Sequence, residues 1–311
     1  MYEGHKIAAV VPAFNESAHI AAVIGAMPAY VDHIIVVDDR STDGTAAAAT
    51  AVGDARVQVI QHPVQRGVGG STVNGMQRAL ELGADLLVKV DGDGQMDPAH
   101  ITRLLEPLVR GGYDYAKGNR FLHRDALRKM PLHRLLGNFA LTFATKLASG
   151  YWHIFDPQNG YLAIKAAAVR ALDLPHLAAG FFFENDMLIH LNVMNLRVTD
   201  VAIPARYEDE QSSLRVSRIL VTFPMYLLCG FLTRVWEKYV LRDFSPIAVF
   251  WLVGLALLTW GTLFGGATWV HSLATGHAAS TGTVMLSVLP FLMGFELVLQ
   301  AIILEIRETP R

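Results

Sequence analysis

The stretch Leu87-Val88-Lys89-Val90-Asp91-Gly92-Asp93-Gly94-Gln95-Met96-Asp97-Pro98 runs from apolar residues directly into a polar cluster. A short apolar run bounded by Gly, Asp and Pro reads as a buried strand, and in open α/β sheets ligands bind beyond the carboxyl ends of strands. Two carboxylates separated by one small residue at a strand end can grip a hard divalent cation that also binds a diphosphate. An EF-hand loop could start in the same way, but its twelfth position would be Thr102, where that loop requires glutamate.

Outward from this stretch, short apolar runs alternate with helical patterns from residue 6 to about residue 205, as expected of a mainly parallel α/β sheet. Residues 7–12, 33–38, 57–61, 85–90 and 113–117 read as strands, and 17–27, 44–52, 71–82 and 98–109 as the helices between them. Strands one, two and four each end in a polar cluster, so the clusters should share one cleft. The first is VPAFNES (11–17) and the second DDRSTDGT (38–45). Ser, Thr, Asn and Asp also cap helices. Capping is therefore assigned to Ser17 and Thr42, and ligand contact to Asp38 or Asp39. The glycine-rich stretch at 65–70 lacks a Gly-Lys-Ser/Thr ending and does not follow the first strand, so it reads as a helix entry beside the site in preference to a phosphate loop.

The chain has 311 residues, 26 Lys plus Arg against 28 Asp plus Glu, and a net charge of -2. No basic surface follows from that balance, and no base-stacking platform accompanies it, which argues against nucleic acid as a partner. The lone Cys229 excludes an internal disulfide and, lying in an apolar stretch, reads as a buried, inert thiol. The N-terminus shows no signal-peptide pattern, so this part is expected in the cytoplasm.

Hydrophobic residues make up 52% of the chain and charged residues 17%. Between Asp243 and Glu296 there is no charged residue, and two runs, about 247–267 and 283–304, approach the roughly 20 residues of a membrane-spanning helix. Arg234, Lys238 and Arg242 precede the first run and Arg307 and Arg311 follow the second, while the connector carries no Lys or Arg. The positive-inside rule then puts both ends in the cytoplasm. Glu296 and Gln300 share a helix face within the second run, for a subunit contact, a lipid path, or satisfaction against the first span. The segments 128–147 and 211–243 are apolar but interrupted by charge, and read as helices lying in the headgroup plane.

Taken together, VPAFNES, DDRSTDGT, VKVDGDGQMDP, GNRF, FDPQNGY and FFFEND resemble, in order, a family 2 glycosyltransferase. With two terminal spans, the chain looks like dolichol-phosphate mannose synthases and bacterial polyprenyl-phosphate glycosyltransferases. The resemblance implies a GT-A catalytic domain over 1–210, an interface-helix region over 211–243, and two transmembrane helices over 244–311. It implies inverting transfer of a sugar from a nucleotide sugar, a UDP-sugar or GDP-mannose, to a polyprenyl phosphate at the cytoplasmic face of the inner membrane. Pro12, Phe14, Glu16 and Asp39 would hold the nucleoside, with Asp38 beside them. Asp91, Asp93 and Gln95 would bind Mg or Mn on the donor diphosphate. Arg120 and Arg134 would grip the acceptor phosphate, for which forked guanidinium donors are suited. Asp156, Gln158, Glu184 and Asp186 would orient sugar and acceptor. The mannose-synthase pattern of Arg, Gly and Ser-Lys after the last strand is replaced here by residues 206–215, read as a donor-covering loop in which Arg206, Ser212 and Arg215 meet phosphates.

Homo-oligomerisation is expected from the Glu296 and Gln300 face and from relatives. A processive polysaccharide synthase is the first alternative, against which stand the absence of a Gln-x-x-Arg-Trp string and the presence of only two spans. A noncatalytic nucleotide-sugar-binding scaffold is the second.

Overall fold

The computed structural model describes residues 1–120, 132–204 and 216–310, less the side chains of 132–136, 138 and 216–221. The chain divides into two compact units, Met1–Phe231 with Pro310–Arg311, and Leu232–Thr309.

The first unit is built on a seven-stranded sheet of order β3-β2-β1-β4-β6-β5-β7. The strands are β1 (Ile7–Ala13), β2 (His33–Asp38), β3 (Val57–Gln61), β4 (Leu86–Lys89), β5 (Tyr115–Asn119), β6 (Leu162–Lys165) and β7 (Val198–Ala202). All neighbours are parallel except β6, which runs antiparallel between β4 and β5. The expected mainly parallel sheet is present, and β6 and β7 are additions to the five strands read from sequence. Helices α1 (Ile20–Gly25), α2 (Thr45–Ala51), α3 (Gly67–Glu81) and α4 (Ile101–Val109) lie between the first five strands. Further along come α5 (Leu132–Ser149), α6 (Ala166–Ala171) and α7 (Phe183–Val193).

Both sheet faces are covered, so the central strands are mostly apolar and their residues alternate between two cores. Ala8, Val10, Ile35, Val37 and Leu87 pack with Met76 and Ala79 of α3 and with Phe183, Met187 and Leu188 of α7. Ile7, Ala9, Val11, Ile34, Val36 and Val88 pack with Ile20 and Ile24 of α1 and Leu104 and Leu108 of α4. Helix α3 lies so close to the sheet that a Cβ on Gly75 would come within 2.3 Å of Val10 Cγ1.

Helix α8 (Val216–Arg234) follows β7, and Cys229 on it is exposed, contrary to expectation. Phe223, Leu227 and Phe231, four residues apart, occupy its buried face, which turns Cys229 outward.

In the second unit a π-helical stretch, Val235–Arg242, leads to α9 (Pro246–Thr275) and α10 (Thr281–Glu308). Among the described residues these two helices are long and apolar enough to cross a membrane. Each exceeds the expected span: at about 1.5 Å per residue, 30 residues reach about 45 Å. Ser245 and Ser280 cap their N-termini, and Gly276 ends α9 in the left-handed conformation, so the connector shrinks to five residues. The two backbones touch at small residues: a Cβ on Gly294 would lie 2.5 Å from the Leu258 nitrogen.

Arg234, counted above among the positive residues flanking the span, is fully buried and forks onto Glu305, with Nη1–Oε1 at 3.0 Å and Nη2–Oε2 at 3.3 Å. Trp251 Nε1 donates to the same carboxylate at 3.0 Å. Lys238 nearby is pushed down to about 8 by burial and by Arg234. Gln300 donates to Glu296 at 2.8 Å and both are exposed, so the pair satisfies itself on the outside of α10 and does not face α9.

Candidate active site

The carboxyl ends of β1, β2 and β4 do converge, because these strands are hydrogen-bonded neighbours. The first two clusters are laced together. Asn15, at a positive φ of 58°, accepts the Thr42 N–H at 2.9 Å through its side chain and donates its own N–H to Ser41 Oγ at 2.9 Å. Glu16 N–H donates to Thr45 Oγ1, and Ser17 N–H to Asp43. Burial would raise Asp43, but donors from Thr45 and Ser17 outweigh it and hold the carboxyl below its usual range. Neither Ser17 nor Thr42 caps a helix: α1 starts after His19 and α2 after Gly44, and neither position has a side-chain cap.

Phe14 is exposed, Glu16 half-buried, and Pro12 buried at the end of β1. Asp38 is buried, its Oδ1 accepting from Ser41 N–H. Asp39, also buried, receives the N–H groups of Arg66 at 2.8 Å and Gly67 at 2.7 Å, and His62 Nδ1 at 2.8 Å. It therefore anchors the first turn of α3, where a negative charge suits the helix N-terminus. The glycine stretch is the helix entry expected of it. It is also a close contact, since a Cβ on Gly67 or Gly69 would lie 2.6 Å from Ala179 O or 2.2 Å from Ala178 O.

Beyond β4, Asp91 and Asp93 flank Gly92, at which a Cβ would press 3.1 Å from Ala13 Cβ. Asp93 Oδ1 accepts the Gln95 N–H at 2.9 Å, and Gln95 is exposed. Carboxylate and amide oxygens are hard donors that suit Mg or Mn, so these residues fit such an ion. Among the described residues, however, no three His, Cys, Asp or Glu side chains converge as a metal-binding group.

Lys89 is the residue that sequence reading passed over. It shares the face of Leu87, two residues before it, and its Nζ lies 2.6 Å from Asp91 Oδ1 and 3.3 Å from Glu184 Oε1. Burial alone would lower its pKa, but the two carboxylates raise it above the ordinary lysine value, so it stays an ammonium. Glu184 reaches it because α7 covers this face. Asp186, two residues on, accepts the Ala178 N–H at 2.7 Å, with His190 3.6 Å away, and burial raises its pKa.

On the other side of β6, Arg120 grips Asp156 with both prongs, Nε–Oδ2 at 2.8 Å and Nη2–Oδ1 at 3.0 Å, and its own N–H adds a third bond at 3.1 Å. Asp156 is fully buried, whereas the Arg120 side chain is 38% exposed. Gln158 Nε2 donates to Asn185 Oδ1 at 3.4 Å. Two further groups hold this loop without having been foreseen. Lys117, buried and pushed down to about 8 by burial, donates to the Asn159 carbonyl. Asp200 Oδ2 accepts from Phe155 N–H at 2.8 Å and Asn119 Nδ2 at 2.7 Å, and burial pushes it up to about 6. A Lys or Asp within a short strand run was the available signal for all three. Arg134 lies on α5 with its side chain outside the described part of the structure, and Arg206, Ser212 and Arg215 lie outside the described residues.

Residues 8–172 match the sequence profile of Glycosyl transferase family 2. The chain belongs to glycosyltransferase family 2. It is a glycosyltransferase, and its sheet has the GT-A-like arrangement of that family. A UDP-N-acetylglucosamine–dolichyl-phosphate N-acetylglucosaminyltransferase of Methanococcus voltae is 30% identical over 232 residues, 70% of this chain and 92% of that protein. An undecaprenyl-phosphate mannosyltransferase of Micrococcus luteus is 29% identical over 64% of this chain and 82% of that protein. Among solved structures, glucosyl-3-phosphoglycerate synthase from Mycobacterium tuberculosis, in complex with Mn2+, UDP-glucose and phosphoglyceric acid, superposes with a TM-score of 0.57 at 23% identity, covering 74% of this chain and 80% of that one. That likeness concerns the fold.

Proposed function

We propose that this glycosyltransferase moves a sugar, with inversion, from a nucleotide sugar to a polyprenyl phosphate at the cytoplasmic face of the inner membrane. The observation that carries the reading is the pairing, in one chain, of a carboxylate-lined strand end beside an arginine site with two membrane-length helices. Relatives named for dolichyl- and undecaprenyl-phosphate transfer support it.

Pro12, Phe14, Glu16, Asp38 and Asp39 form the nucleoside end, with Asp39 acting by fixing the entry of α3 beside the base. Asp91, Asp93 and Gln95 hold a Mg or Mn ion. As a Lewis acid, that ion stabilises the charge building on the departing diphosphate. Arg120 meets the acceptor phosphate, its guanidinium held in one plane by Asp156. A phosphate monoester is already largely ionised near neutral pH, its second pKa being about 6, so positioning outweighs proton abstraction. Gln158, Glu184 and Asp186 orient sugar and acceptor from the loop and from α7. Arg134, Arg206, Ser212 and Arg215 are assigned to phosphates by motif alone. A carboxyl group at mid-span is costly against lipid, which makes the exposed Glu296–Gln300 pair the place where a second copy would pack.

The test is transfer of label from a panel of UDP-sugars and GDP-mannose to undecaprenyl phosphate by purified protein in detergent with Mg or Mn. Label entering the organic phase from one donor supports the reading and identifies the sugar. Donor hydrolysis or a water-soluble polymer without lipid product overturns the acceptor, and nucleotide binding without any reaction favours a scaffold.

A further inference from the structure

We propose that Lys89 makes cation binding at Asp91 and Asp93 conditional on the nucleotide diphosphate: the bare site is kept weak, and the ion is held only when donor phosphates bring their own charge and ligands. The inference rests on reading Asp91 and Asp93 as cation ligands.

The Lys89 ammonium is a built feature of the strand end. Its side chain is 1% exposed, whereas that of Asp91 is 25% exposed, so the carboxylate faces outward with a positive charge fixed behind it. Three elements hold that charge in place: Asp91 Oδ1 at 2.6 Å, Glu184 Oε1 at 3.3 Å and the Gly160 carbonyl at 3.4 Å. A Cβ at Gly160 would lie 2.5 Å from Lys89 Nζ and 2.9 Å from Asp91 Oδ2, so any larger residue would push both side-chain ends aside. The space is thereby kept for the ammonium.

A divalent ion approaching Asp91 alone thus meets a carboxylate already paired with a cation, and like charges in a partly desolvated site repel strongly. Glu184 does not restore the deficit toward the ion, since it shares the same ammonium from the interior side. Because no three His, Cys, Asp or Glu side chains converge among the described residues, two carboxylates and an amide are a thin ligand set for a hard cation. A diphosphate supplies both missing quantities, oxygen ligands and negative charge. The physical consequence is that the ion and the nucleotide bind cooperatively, and that a cation is not held at an empty donor site.

The experiment titrates Mn2+ into full-length protein in detergent, with and without saturating UDP or GDP, and follows free Mn2+ by electron paramagnetic resonance. The native protein should bind Mn2+ weakly alone and about tenfold or more tightly with one of the nucleotides, the size of effect usual for groups just behind metal ligands. In Lys89→Met, bare Mn2+ should bind about tenfold more tightly and the gain from nucleotide should shrink by the same factor, whereas Lys89→Arg, which keeps the charge, should keep the cooperativity. Should Lys89→Met not fold because Glu184 is left buried and unpaired, Lys89→Met/Glu184→Gln removes both partners and should show the same gain. Absence of cooperativity in the native protein, or unchanged or weaker bare Mn2+ binding in the folded variants, overturns the inference. Asp93→Ala separates the two levels: if it binds Mn2+ as the native protein does, the cation site itself is misplaced.

Discussion

Arg234 in one unit and Lys89 in the other are both buried cations paired with carboxylates, and they are enclosed differently. Arg234 and Glu305 both have fully buried side chains and are closed off from solvent, with Tyr239 bonded to the guanidinium and Trp251 donating to the carboxylate. Lys89 is equally buried, but one of its carboxylate partners, Asp91, opens outward. A closed pair can only hold structure, here the π-helical stretch against the ends of α9 and α10. An open pair carries its charge to a surface where a ligand can feel it. The lesson is that burial of the cation matters less to function than exposure of its partner.

The comparison breaks most readily at the closed pair. Glu305→Ala leaves the Arg234 guanidinium buried without its carboxylate and should destabilise the helix-pair unit by about 3–5 kcal/mol, while Arg234→Met/Glu305→Leu should recover most of that loss. Thermal unfolding in detergent measures both, and a single-variant cost below about 1 kcal/mol would show that the pair is not closed. At the open pair the expected loss is in turnover. Asp93→Ala should lower metal-dependent kcat/KM by about a hundredfold with little change in melting temperature.

Asp200 sharpens the contrast as a buried acid whose main partners are an N–H and an amide. Its folded pKa, about 6, lies above the unfolded value of about 3.9, so between these values the unfolded chain has released a proton that the native state keeps. Stability should therefore be higher below about pH 4 as far as this group is concerned, and fall as pH rises through about 6, by about 2–3 kcal/mol. Asp200→Asn, whose amide oxygen can accept from both Phe155 and Asn119, should flatten that decline in a pH series of denaturant midpoints. Smallest of all, Cys229→Ser should shift stability by no more than about 0.5 kcal/mol, because the thiol lies outside the buried face of α8. A thiol reagent should label the native protein at this position.

Much of the fold could be read directly. Residues 33–38 and 57–61 are strands with the bounds that alternation gave, and the polar ends of β1, β2 and β4 announced the cleft. Strand β6 was not legible, since Leu162–Lys165 is short and antiparallel pairing to β4 leaves no local mark. Helix ends were misjudged where cappers were expected: Ser17 and Thr42 serve the loop lacing instead, because side chains and N–H groups across two loops compete with the helices for the same bonds. Helix α9 runs past the apolar run read from sequence, which left Trp269 and Val270 in the polar connector, because helical bonding carries it on to Thr275.

The candidate site divides in the same way. Asp91, Asp93, Gln95 and Arg120 stand out in sequence because polar residues at strand ends are unusual against apolar runs. Their partners do not, since Lys89 meets Glu184 across 95 positions and Arg234 meets Glu305 across 71. What the sequence by itself determined is local: the period-two strands, the two long apolar runs, and the order of motifs that marks a family 2 glycosyltransferase. Which charges are neutralised, which carboxylate anchors a helix and which faces outward was decided by the tertiary structure. The physical reason is that pairing and desolvation act between groups brought together only when the sheet closes and helices cover its faces.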